Sequence, residues 1–246
     1  MNSFKLAKYN IKSSLKSIII FYCIFIAVLF TTINSTGISI SGIEFSSMIF
    51  LFVMGLNLFK ENFYFSQANN IPRTDYFKSL VITILPIALG MSIIDVILNR
   101  IYNIFLGGPT IYDMAYGNFP HGYNYESIPV WIQNNSIGTL VGTDTFLFAL
   151  YILAFAIGLL ITMIFYKCNK TMKILIFLSP IAIEAIGGSV IYNFPEFGEK
   201  SGIFIDNILG ISTKNSYICV ITFIFLFIIT MCFVYIIIRR VVVKKA

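Results

Sequence analysis

Six long apolar runs, separated by short basic or longer polar segments, constrain this 246-residue chain more than any motif does. A hydrocarbon layer about 30 Å thick needs about 20 consecutive apolar residues in a helix to cross it, and the runs have that length. Only 11% of the residues are charged, whereas a soluble domain carries about 25%. A globular soluble enzyme is therefore excluded. In lipid every backbone N–H and C=O must be satisfied within the chain, which a helix does by itself. The expected fold is all-α, a polytopic membrane protein with six transmembrane helices in one membrane domain, 1–246.

In chain order, the spans are expected at about 17–33, 43–59, 77–106, 144–166, 174–192 and 216–238. Ahead of the first, residues 1–16 carry Phe4, Ala7, Ile11 and Leu15 in one stripe, with Lys5, Lys8, Lys12 and Lys16 beside it. That pattern predicts an amphipathic basic helix in an anionic headgroup layer. The rival reading is a signal-peptide n-region with 18–30 as its apolar core. It lacks an A-x-A-like cleavage site, because TTINSTG follows. Two loops are long: 107–143, rich in aromatics, and 193–215. Tyr112, Tyr116, Phe119, Tyr123, Tyr125 and Trp131 suit the headgroup level of the first loop's membrane face.

The net charge of +6 is informative through its distribution. An inside N-terminus places Lys5, Lys8, Lys12, Lys16, Lys60, Arg73, Lys78, Lys167, Lys170, Lys173, Arg239, Arg240, Lys244 and Lys245 in the cytoplasm, fourteen of the seventeen Lys and Arg residues. Arg100, Lys200 and Lys214 fall on the other side. Basic residues concentrate on the cytoplasmic side of membrane proteins, so both termini and the segment after the second span are expected there. The two long loops are then extracellular. The charge is a signature of orientation and not of nucleic-acid binding.

That segment, KENFYFSQANNIPRTDYFKS at 60–79, is too polar to cross a bilayer. Its first half suits a short helix. Asn69-Asn70 tolerates the left-handed conformation of a helix end, Pro72 holds Ile71 extended, and Thr74 is placed to cap the next helix. Helix, tight turn and helix follow, a handle for a soluble partner.

Catalytic machinery is missing from the sequence. No Gly-rich phosphate loop precedes a Lys-Ser or Lys-Thr pair, and no Gly-x-Ser-x-Gly elbow occurs. The single histidine, His121, cannot build a metal or acid–base centre alone. Cys23, Cys168, Cys219 and Cys232 lack metal-type spacing and read as small apolar fillers. No cofactor or metal is expected in this chain, and ATP with its Mg would have to be held by another.

Ionisable groups within spans cost roughly 2.5–3.5 kcal/mol each at mid-bilayer, which singles out Glu184 and Asp95. Each either lines a polar translocation path or is tied between helices; for Asp95 the partner would be Arg100, a serine or a backbone carbonyl. Glu44 begins the second span and is expected at the interface. Gly187-Gly188, soon followed by Pro195, suggests that the fifth span breaks near its outer end; a close-packing site for another helix is the alternative.

The stretch ENFYFSQANNIPRTDYFKS resembles the cytoplasmic segment between the second and third spans of small bacterial ABC exporter permeases of the type-2 class. Ile71, Arg73, Tyr76 and Phe77 match it, and Phe65 and Ala68 fit approximately. Asn70 replaces a usual glycine and Pro72 a usual serine. A basic N-terminal helix, six spans and a broken region before the sixth extend the likeness over nearly the whole chain, towards Gram-positive peptide-exporter and immunity permeases. The resemblance implies that 60–79 is a coupling helix seated in a groove of a separate ABC ATPase, contacted through Glu61, Phe63, Phe65, Ala68, Asn70, Ile71, Arg73, Tyr76 and Phe77. It implies two permeases, identical or different, paired with two ATPases in a bacterial plasma membrane. Amphipathic or hydrophobic peptides would be the cargo. An ion-coupled secondary transporter using Glu184 and Asp95, and a non-transporting immunity or sensor subunit, are the alternatives.

Overall fold

The computed structural model describes residues 2–35, 39–117 and 132–241. Among them the regular structure is helical: α1 (Asn2–Ser35), α2 (Phe45–Ala68), α3 (Arg73–Tyr102), α4 (Ile111–Tyr116), α5 (Ile137–Lys167), α6 (Lys170–Asn193), α7 (Pro195–Ile208) and α8 (Ser216–Arg240). Six of these, all but α4 and α7, are long and apolar enough to cross a membrane. His121, Phe119, Tyr123, Tyr125, Trp131, Lys244 and Lys245 lie outside the described residues.

The apolar runs are extended into longer helices by the polar residues that flank them. The sequence predicts a separate interfacial helix over 1–16, but α1 continues unbroken from Asn2 to Ser35. Its 34 residues span about 51 Å at 1.5 Å per residue, longer than a hydrocarbon layer of about 30 Å. The packed stripe also differs from the expected one. Leu6, Ala7, Asn10, Ser14, Ile18, Tyr22, Phe25 and Leu29 are buried, while Phe4 and Leu15 are exposed.

α5 is the central column. It packs along α2 on one side and α8 on the other, and it also meets α3 and α4, while α1 lies against α3. The core formed there includes Leu51, Phe59, Leu80, Ile84, Met91, Leu147, Phe155 and Leu159, each fully enclosed. Exposed Ile, Phe and Val side chains surround it, as expected for helices whose solvent is lipid.

The α6–α7 hairpin stands apart, since α6 makes its principal contacts with α7. No break occurs at Gly187-Gly188: α6 runs through both glycines to Asn193. A Cβ at either would meet nothing within 4 Å, so they pack against no helix among the described residues. The chain bends instead at Phe194, where φ −130° and ψ 76° leave the helix and Pro195 starts α7. Proline has no N–H to lose at a first helical position. The polar segment 193–215 is accordingly mostly helix and not loop.

Contacts define two ends of the bundle. At the base, the Tyr9 and Phe65 rings stack at 5.2 Å, the Tyr64 and Tyr166 hydroxyls lie 2.9 Å apart, and Arg73 reaches the end of α8. At the far end, the Gly42 amide donates to Pro109 O at 2.9 Å, the Ile40 amide to the Tyr102 hydroxyl at 3.0 Å, and Tyr116 to Leu209 O at 2.7 Å.

Candidate functional sites: the α2–α3 turn and a buried polar cluster

The segment 60–79 is not a short separate helix. α2 continues to Ala68, and the turn is confined to the four residues before Arg73. The Asn70 amide bonds Gln67 O at 3.1 Å and the Ile71 amide bonds Ser66 O at 2.9 Å, the paired bonds of a Schellman C-cap. That cap requires a left-handed residue after the helix, and Asn70 has φ +54°. Pro72, with ψ 143°, is the N-terminal boundary of α3, and its carbonyl accepts the Tyr76 amide at 3.0 Å. Thr74 does not cap α3, because the helix starts one residue before it and no side-chain cap bond forms.

The turn is clamped to the rest of the base. The Arg73 guanidinium donates to Ile238 O at 3.4 Å and to Arg239 O, the last carbonyls of α8, where the helix dipole favours a cation. Phe77 packs on the Tyr235 ring at 5.0 Å. Phe63 meets Phe59 at 5.1 Å and Tyr76 at 5.5 Å, and the Tyr76 hydroxyl donates to Phe59 O at 3.3 Å. These contacts join the turn to α2, α3 and α8.

The nine residues singled out here divide by position. Phe63 and Tyr76 are enclosed in the core. Ile71, Arg73 and Phe77 are half-buried, while Phe65, Ala68 and Asn70 are exposed. Glu61 lies on α2, its side chain outside the described residues. With Asn69, Pro72, Thr74 and Lys78, the exposed members form a small, mostly neutral knob at the tip of the base.

The second site is deep in the bundle. Asp95 is fully buried, and its carboxylate accepts the Tyr22 hydroxyl of α1 at 2.9 Å and the Tyr151 hydroxyl of α5. Arg100 is not its partner. Five residues along a helix is a rotation of about 140°, so the two side chains leave α3 on different faces. Arg100 instead has Asp113 of α4 4.0 Å away. Glu44, expected at the interface, is completely enclosed, because the segment 39–42 and the 103–113 connection fold over the far end. Its neighbour one turn on, Ser47, is also buried. Ser92 donates to Asp144 Oδ1 at 2.7 Å, and Asn99 donates to Gly108 O at 3.1 Å and accepts from Gln133 at 2.8 Å.

Tyr112 and Tyr116, expected as membrane anchors, point inward onto Phe146 at 6.2 and 5.7 Å. Burial raises the Tyr116 phenol above its ordinary pKa. Sequence reasoning missed Tyr22 and Tyr151. The available signal was a phenol in mid-span, where an O–H demands a partner. Glu184 lies far from this cluster in connectivity, exposed on α6, so the structure does not unite it with Asp95. All four cysteines are free thiols, and Cys219 alone of them is enclosed.

No protein-family model, no curated protein and no solved structure matches this chain.

Proposed function

We propose that this chain is the membrane-spanning permease subunit of an ATP-driven ABC exporter of the type-2 class, moving amphipathic or hydrophobic peptides out of a Gram-positive cell. The observation that carries the reading is the α2–α3 turn: a capped, clamped knob whose exposed tip, Phe65, Ala68 and Asn70, rests on a rigid base. A lever of this kind passes a partner's motion into α2, α3 and α8 without chemistry of its own. The partner is a separate ABC ATPase holding ATP and Mg. In this reading both termini and the turn are cytoplasmic, the side to which the basic residues point.

A second permease completes the assembly. Glu184 is exposed on α6, which among the described residues meets chiefly α7, and a carboxylate in that position costs about 2.5–3.5 kcal/mol against lipid. Another protein surface over α6 removes that cost and turns Glu184 towards a shared path. Co-expression with an ABC ATPase tests the proposal: the two co-purify, and peptide raises ATP turnover. Binding without stimulation would indicate an immunity or sensor subunit. The buried Glu44 and Asp95 favour one other reading, an ion-coupled secondary transporter, which requires transport by the purified chain without ATPase.

A further inference from the structure

We infer that the groove between the far halves of α3 and α5 holds one phospholipid of the adjoining leaflet, with its phosphate on Arg100 and an acyl chain along the groove wall. The groove has a volume of about 480 Å³ and is walled by Ile93, Ile97 and Ile101 of α3 and by Leu140 and Val141 of α5. It opens outward from the bundle, since Ile97, Ile101 and Val141 are each about half exposed. Arg100 and Asp144 are its charged members.

Two observations point to a phosphate. The first is the guanidinium itself: Nε, Nη1 and Nη2 of Arg100 are all buried, and none has a hydrogen-bond partner among the described residues. Asp113 Oδ2, 4.0 Å from Nη1, offsets the charge but is too distant to accept a hydrogen bond. Buried donors left unmade are costly, and a planar fork of N–H groups suits the oxygens of a phosphate. The second is depth. Residues 78 and 100 of α3 are 22 positions apart, about 33 Å at 1.5 Å per residue, close to one hydrocarbon thickness. With the exposed Lys78 at one boundary, Arg100 stands at the other, level with headgroup phosphates. From Arg100 back to Ile93, about 10 Å along α3, the groove wall runs beside the acyl chains.

The carboxylates set the class of headgroup. Asp113 stands beside the guanidinium, and Asp144 lines the groove with its Oδ1 accepting the Ser92 hydroxyl at 2.7 Å. One cation among two carboxylates disfavours a head with a net negative charge, because like charges brought together repel. It favours a phosphate that carries its own primary ammonium, as in phosphatidylethanolamine.

The groove lies at the opposite end of the bundle from the α2–α3 turn. Its test needs neither ATPase nor transport, so it stands or falls apart from the proposed function. Native mass spectrometry of the purified full chain, released from nanodiscs of equal phosphatidylethanolamine and phosphatidylglycerol, reads the lipid that stays bound. Wild type should keep one phosphatidylethanolamine, in several-fold excess over Arg100→Gln. Lys78→Gln, at the other membrane boundary, should keep as much as wild type. Asp144→Asn, which still accepts the Ser92 hydroxyl, should shift retention towards phosphatidylglycerol. If Arg100→Gln fails to fold, Arg100→Lys, which keeps the charge but loses the planar fork, should lower retention in its place. Equal phosphatidylethanolamine retention in wild type and the Arg100 variant would overturn the inference, as would an equal fall in Lys78→Gln or an unmoved preference in Asp144→Asn.

Discussion

Gly55 of α2 and Gly158 of α5 pack into each other's helix backbone. A Cβ at Gly55 would lie 2.3 Å from Phe155 O, and one at Gly158 would lie 2.2 Å from Phe52 O. The Thr162 hydroxyl bonds Leu56 O across the same seam at 2.7 Å. Lipid tails are as apolar as leucine, so helices in a bilayer gain from close contact and cross-helix hydrogen bonds more than from burial. This crossing fixes α2, and with it the turn, to the central column.

Gly158→Leu and Gly55→Val should therefore disrupt the bundle. Overpacking a core costs about 1–3 kcal/mol when side chains can yield; here the obstacle is backbone, so the loss should reach the upper end or abolish folding. Gly187→Ala and Gly188→Ala, whose added Cβ meets nothing within 4 Å among the described residues, should keep or slightly raise the Tm of the purified chain. A Tm series over the four variants checks both halves.

The left-handed Asn70 gives a second test. Asn70→Gly should keep or raise stability, since glycine adopts that conformation freely. Asn70→Val should lose about 1–2 kcal/mol, read as a lower midpoint in denaturant titration. Equal midpoints would mean that the cap does not hold the turn.

Phe63 and Phe65 separate folding from docking. Phe63 is 1% exposed and Phe65 is 44% exposed. Phe63→Asp places a charge in the core and should abolish a monodisperse product in detergent. Phe65→Asp gives up the ring stack on Tyr9, a loss of about 0.5–1.5 kcal/mol, and should still fold yet lose a co-expressed ATPase in pull-down.

Tyr151→Phe leaves Asp95 with one phenol in place of two. Hydrogen bonds to charged groups contribute about 1.5–3 kcal/mol, so the variant should be destabilised by that order in denaturant titration. An unchanged midpoint would mean that the Tyr151 bond is not made.

The spans were legible because crossing hydrocarbon is a demand on length and composition alone, which run-counting detects. The turn was legible at Asn70 and Pro72, where local backbone chemistry decides the conformation. Its first half was not: Glu61 to Ala68 continue α2 because Phe59 and Phe63 find Tyr76 and Tyr166 across the base, a tertiary contact with no local trace. The same holds at Gly55 and Gly158, isolated glycines overlooked beside the conspicuous Gly187-Gly188 pair. Asp95 was visible as costly, but its tyrosines come from α1 and α5, 73 and 56 residues away. Glu44 looked interfacial because nothing in its neighbours announces the fold of 39–42 and 103–113 over it.

The central claim is that the tip of the α2–α3 turn docks a nucleotide-hydrolysing subunit inside the cell. Replacing the four native cysteines and placing one at Asn69→Cys or at Thr213→Cys, at the other end of the bundle, allows in-cell cross-linking with a thiol-reactive photoprobe. Asn69→Cys should give an adduct with an ATP-binding protein and resist an impermeant thiol reagent in intact cells, while Thr213→Cys should do the reverse. An Asn69→Cys thiol blocked from outside, or one that cross-links to no ATP-binding protein, would contradict the account.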